Sequence, residues 1–164
     1  MSRPTETAAV DRECMTRAIA AATQVRCITS PNPWVGAVLR AEDGTMFEGA
    51  TLEPGKSHAE VVALDAAGDA ARGGTLYVTL EPCSHQGRTG PCVDAIIDAG
   101  VRRVVVGVVD PDERVSGRGI ELLRKAGIEV EVGVQEEQVR NQLAPYLKHR
   151  RTGRPWVVLK LAAT

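Results

Sequence analysis

Along residues 11–25 the apolar positions Met15, Ile19 and Ala22 recur at helical spacing, and the stretch holds no glycine or proline, which predicts a first helix there. The preceding residues 1–10 are mostly polar and are expected to form a disordered tail. Ser30-Pro31-Asn32-Pro33 then interrupts the chain, because proline disfavours helix at its own position and at the residue before it. Two short apolar runs, 34–39 and 45–51, flank Glu42-Asp43-Gly44 and predict a hairpin. Ser57 is placed to cap a helix over 58–67, whose Ala59, Val62, Ala63 and Ala66 make a small apolar face. After Gly73-Gly74 the pattern alternates: a strand at 75–80, a helix at 92–99, and a valine-rich run at 101–109 that reads as a strand covered on both faces. A helix at 119–126, a strand at 128–134 and a closing helix at 136–147 complete the series. A hairpin followed by alternating helix and strand implies an α/β fold, a three-layer α/β/α domain with a mixed central sheet.

Composition narrows the partners. The 164 residues suit one domain with a complete core. With 20 basic against 21 acidic residues, nothing favours a nucleic-acid or membrane surface, and 3% aromatic residues are too few for a base-stacking platform. No apolar run approaches a membrane span and no secretory leader is visible, so a cytoplasmic location is expected. Four cysteines then point to a reducing compartment and to metal chemistry rather than disulfides. Cys14 and Cys27 lie outside any motif and are read as packing residues.

The chemistry concentrates in two stretches. His58-Ala59-Glu60 supplies an imidazole and a carboxylate, and the stretch from Pro82 to Cys92 supplies two thiols, Cys83 and Cys92. One histidine and two cysteines form the donor set that holds a catalytic zinc and leaves a fourth position for water. His58, Cys83 and Cys92 are therefore the candidate Zn2+ ligands, and Glu60 the proton carrier beside that water. Each residue alone has a plainer reading, a helix cap or a buried thiol. The positive ends of the predicted helices favour thiolate over thiol, and ligands near the sheet's strand ends stand where open α/β sheets place their sites.

At these residues the chain resembles the cytidine deaminase superfamily, and more narrowly the pyrimidine deaminase domain of bacterial riboflavin biosynthesis. The resemblance rests on Ser30-Pro31-Asn32-Pro33-Trp34-Val35-Gly36-Ala37-Val38, His58-Ala59-Glu60, the run from Glu81 to Cys92, Asp110-Pro111 and Gly117-Arg118-Gly119-Ile120. The long loop between the cysteines is specific to this branch, whereas related deaminases keep Cys-x-x-Cys. The resemblance implies hydrolytic deamination of a diaminohydroxyphosphoribosylaminopyrimidine, with ammonia release and Zn2+ as cofactor. It also implies substrate contacts by Asn32, His85, Arg88 and Asp110, with Arg88 at the phosphate. Their plainer readings are a turn former, loop residues and a turn cap. A homo-oligomer is expected.

Two departures from relatives matter. Ala50-Thr51 stands where many carry Phe-His, and Asp110-Pro111-Asp112-Glu113 where many read Asp-Pro-Asn-Pro. These acids are expected near the sugar phosphate, where a facing carboxylate repels it, so that phosphate contributes less to binding and Arg88 is its main grip; the plainer reading is that Asp112 points outward. The domain itself is expected over 11–150. Residues 151–164 resemble a linker and the first strand of a reductase domain that is missing or vestigial here. Two other readings stay open: deamination of a related base in secondary metabolism, and a structural zinc module in which His85 completes four protein ligands.

Overall fold

The computed structural model describes residues 3–85 and 90–162. In chain order the elements are α1 (Arg3–Gln24), β1 (Gly36–Arg40), β2 (Met46–Ala50), α2 (Ala59–Ala67), β3 (Thr75–Leu80), α3 (Cys92–Asp98), β4 (Arg103–Val108), α4 (Arg118–Lys125), β5 (Glu129–Val132), α5 (Glu136–Gln142) and α6 (Ala144–Thr152). They build one five-stranded sheet in the order β2-β1-β3-β4-β5. The hairpin β1–β2 is antiparallel, β1 also runs antiparallel to β3, and β3, β4 and β5 are parallel, so the sheet is mixed as expected.

The apolar runs explain the order. β4 is buried at every position and β3 at all but Thr75, which puts these valine- and leucine-rich strands in the middle. β5 is largely exposed and takes an edge. Two glycines on the hairpin, on opposite faces, let the flanking helices approach. A Cβ on Gly36 would stand 1.9 Å from the Ala18 carbonyl oxygen of α1, and one on Gly49 would stand 2.2 Å from the Ala59 carbonyl oxygen of α2. On the α1 side, Val139 of α5 lies against Gly107 of β4. α3 packs beside α2 and α4, completing the other layer.

α1 begins at Arg3, so the segment expected to be a disordered tail is helical from there on. Asp11, expected at the helix start, sits inside the helix. Its carboxylate accepts the Tyr77 hydroxyl at 2.9 Å and pairs with Arg103 at 2.8 Å, linking α1 to β3 and β4. Arg103 also pairs with Glu131 of β5. The expected closing helix is two. Pro145 cannot donate the hydrogen bond that would carry α5 onward, and it falls in the first turn of α6, where its missing N–H costs nothing. α6 then runs to Thr152, beyond the expected end at 147. Residues 154–162 are exposed and form no helix or strand. Among the described residues no helix is long and apolar enough to cross a membrane.

Candidate metal centre and cavity

The site forms beyond the C-terminal ends of β3 and β4. β3 hands the chain to Cys83, while the backbone N–H of Glu81 still donates to the Val108 carbonyl at 2.9 Å and keeps this exit in register with β4. Cys92 is the first residue of α3. Its backbone N–H points at the Cys83 sulfur at 3.3 Å, and the N–H of Val93 bonds the Cys83 carbonyl at 3.2 Å. His58, rather than Ser57, is the N-cap of α2, with an extended backbone and no side-chain cap bond. Its ring is used elsewhere. Nδ1 lies 3.2 Å from Cys92 Sγ and 3.6 Å from Cys83 Sγ.

All three donor atoms fall within 4.8 Å of one another. A tetrahedral zinc with bonds of about 2.3 Å to sulfur and about 2.0 Å to nitrogen sets its ligand atoms roughly 3.5–3.8 Å apart. The set therefore fits zinc in donor type and in spacing. Among the described residues His85 does not belong to this group, which leaves three protein donors, as in a catalytic site.

Of the two thiols, Cys83 already leans toward the thiolate that binds metal. The Cys92 thiol and backbone N–H both donate to Cys83, and with His58 they outweigh burial and drive the Cys83 thiol toward thiolate. Cys92 is pushed up by its bond to Cys83 and by burial. His58 is raised by its bond to Cys83, against the effect of burial. Glu60 lies in the first turn of α2, 3% exposed, and burial together with the Cys83 charge pushes its carboxyl up to about 7.

His58, Glu60 and Cys83 line a cavity of about 400 Å3, a size that suits a small-molecule ligand. Asn32, His85 and Asp110 line it too, so the structure gathers these candidate residues around one space. Arg88 lies outside the described residues. Cys14 is buried as expected, but Cys27 is exposed and packs nothing. Thr51, at the departure noted in the sequence, is buried against Val35 and also faces the cavity.

Several lining residues were not legible as such in the sequence. Glu81 accepts the backbone N–H groups of Asp110, Gly117 and Gly119 at 3.2, 2.9 and 3.0 Å, fastening the β4–α4 loop and the start of α4 to the metal centre's strand. Its adjacency to Pro82-Cys83 was the available signal. Tyr146 and Arg150, from α6, close the cavity on another side. Burial raises the Asp110 carboxyl. Asp112 lines the cavity, and its carboxylate is paired with Arg114 and Arg150, at 2.8 and 3.4 Å.

The family described as "Cytidine and deoxycytidylate deaminase zinc-binding region" matches residues 8–108. The riboflavin biosynthesis protein RibD of Aquifex aeolicus is 48% identical over 155 residues, covering 94% of this chain and 44% of that protein. The diaminohydroxyphosphoribosylamino-pyrimidine deaminase of Buchnera aphidicola is 43% identical over 145 residues, covering 88% of this chain and 99% of that protein. Among solved structures, RibD of Acinetobacter baumannii superposes with a TM-score of 0.88 at 43% identity, covering 92% of this chain and 42% of that one. The chain thus spans less than half the length of the RibD proteins it matches and nearly all of the Buchnera deaminase.

Proposed function

The chain belongs to the cytidine and deoxycytidylate deaminase family, and from that membership we propose that it is a zinc-dependent aminohydrolase acting on diaminohydroxyphosphoribosylaminopyrimidine in riboflavin biosynthesis. The observation that carries this reading is the convergence of His58 Nδ1, Cys83 Sγ and Cys92 Sγ at a cavity that buried Glu60 also lines. The same substrate class stands in the name of the Buchnera relative, which the chain spans almost completely.

His58, Cys83 and Cys92 hold the metal. When bound, zinc supplies Lewis-acid chemistry that makes hydroxide available near neutral pH. Glu60 takes one proton from the attacking water and gives it to the ring nitrogen, then takes the second from the added hydroxyl and gives it to the leaving amine. A C–O bond forms at the amino-bearing carbon as its C–N bond breaks. Water and the amidine become the aminouracil ribosylamine phosphate and ammonia, so atoms and protons balance. Asn32, His85 and Asp110 orient the substrate against that face of the cavity. The reading also includes a homo-oligomer in the cytoplasm, where four free thiols suit a reducing compartment. Incubating zinc-loaded protein with the pyrimidine and assaying ammonia tests it. Ammonia formed in step with the aminouracil product supports the reading, and none formed refutes it.

A further inference from the structure

Asp112 is the least expected residue in the cavity wall. Its side chain is only 10% exposed, yet it carries a carboxylate at a surface that should receive an anionic substrate. The structure supplies the compensation. Arg114 bonds it through two nitrogens, Nε to Oδ1 at 3.0 Å and a terminal nitrogen to Oδ2 at 2.8 Å, the fork-to-fork geometry that fixes a guanidinium plane. Arg150 reaches the same Oδ2 at 3.4 Å from α6. Arg150 also stacks over the Tyr146 ring, 5.4 Å from its centre, while the Tyr146 hydroxyl is held by Asp110. Two guanidiniums from separate elements are thus fixed around one carboxylate, and both line the cavity.

Asp112, Arg114 and Arg150 together carry one net positive charge, which the neighbouring Asp110 carboxylate offsets, so the grip on a second anion rests on the free guanidinium donors rather than on excess charge. Each guanidinium has five N–H donors and Asp112 engages only some of them, so donors remain for a second anion. Lys56, also lining the cavity, is exposed and spends its charge on Glu53 at 3.3 Å. Paired guanidiniums match a phosphate monoester better than a point charge does, because their planar forks bond two oxygens at once.

We propose that Arg114 and Arg150, aligned by Asp112, form the subsite for the phosphate end of the substrate. This rests on the deaminase reading above and names the residues of this chain that grip the anion. Asp112 is a positioning residue: it holds the two forks in place and does not touch the substrate. The role expected of it from sequence is thereby reversed, from repelling phosphate to presenting the cations that bind it.

The test compares kcat/KM for the phosphorylated and dephosphorylated pyrimidines in zinc-loaded wild type, Arg114→Gln, Arg150→Gln and Asp112→Asn. The phosphorylated-to-dephosphorylated ratio is expected to fall about tenfold or more in each arginine variant, mainly through KM. It should fall also in Asp112→Asn, and Arg150→Lys should retain part of it. An unchanged ratio in both arginine variants, or a rise in Asp112→Asn, overturns the proposal while leaving the deaminase reading intact. Calorimetric titration with inorganic phosphate is independent of turnover. Wild type should bind it and the arginine variants several-fold more weakly. Equal binding by all, or none by wild type, overturns the subsite even if deamination fails for another reason.

Discussion

The Tyr146 hydroxyl donates to both carboxylate oxygens of Asp110, at 3.0 and 3.1 Å, and joins α6 to the loop that leaves β4. Asp110 also accepts the N–H of Asp112 at 2.9 Å, so its carboxylate is held from two sides while it lines the cavity. Tyr146→Phe removes one of these holds without changing ring volume. Loss of a hydrogen bond to a charged acceptor is worth about 1–2 kcal/mol, which corresponds to a KM increase of roughly five- to thirtyfold. The expected result is that increase with a smaller change in kcat, read from steady-state kinetics.

Purified protein is expected to carry one zinc per chain. Cys83→Ala, Cys92→Ala and His58→Ala should each lose it, because three donors are the minimum for a site with an open position. Cys14→Ala and Cys27→Ala should keep it, since neither belongs to the donor group. Metal analysis by mass spectrometry decides this, and retention of stoichiometric zinc by Cys92→Ala would remove that residue from the ligand set.

Stability should fall at acidic pH through Asp11. Burial alone would raise its carboxyl, but the bonds from Arg103 and Tyr77 prevail and lower it below its ordinary 3.8. A carboxyl depressed in the folded state stabilises fully above its unfolded pKa, and that contribution is lost as pH falls through the folded value. The loss therefore belongs below about pH 4. Asp11→Ala leaves Arg103 with Glu131 and Glu129 but without its buried partner, and should cost about 1.5–3 kcal/mol at neutral pH. Denaturant titrations of both proteins from pH 7 to pH 3 should show the gap narrowing only at the acidic end.

Glu60→Gln should keep zinc and fold while losing turnover by a factor of about 10² to 10⁴ or more, because amide and carboxylate have the same shape but only the carboxylate carries the proton. Zinc content and thermal midpoint close to wild type, with residual ammonia release at the assay floor, are the expected readouts. Turnover within threefold of wild type would take Glu60 out of the reaction.

What could be read from the chain divides along local and distant effects. The uninterrupted valines of β4 and the Asp43-Gly44 turn act through neighbours in sequence, and both strand and hairpin formed where expected. The three donors were legible because their chemistry is carried by residue type. The role of Asp11 was not, because its partners, Tyr77 and Arg103, are 66 and 92 residues away. The arginine partners of Asp112 were hidden for a related reason. Arg150 reaches it only because Pro145 restarts the chain as α6 and turns that helix over the cavity. Ser57 is the better cap for α2 by residue type, but the helix begins at Ala59, so His58 takes the cap position and its ring meets the cysteines.

The central claim is that this cavity deaminates a pyrimidine ribosylamine phosphate at a three-donor zinc site. The most direct measurement is ammonia release from diaminohydroxyphosphoribosylaminopyrimidine by protein carrying one zinc per chain, with the Glu60→Gln variant alongside. The account predicts one ammonia per aminouracil product for wild type and none above background for the variant. Fully zinc-loaded wild type that releases no ammonia from this substrate would contradict it.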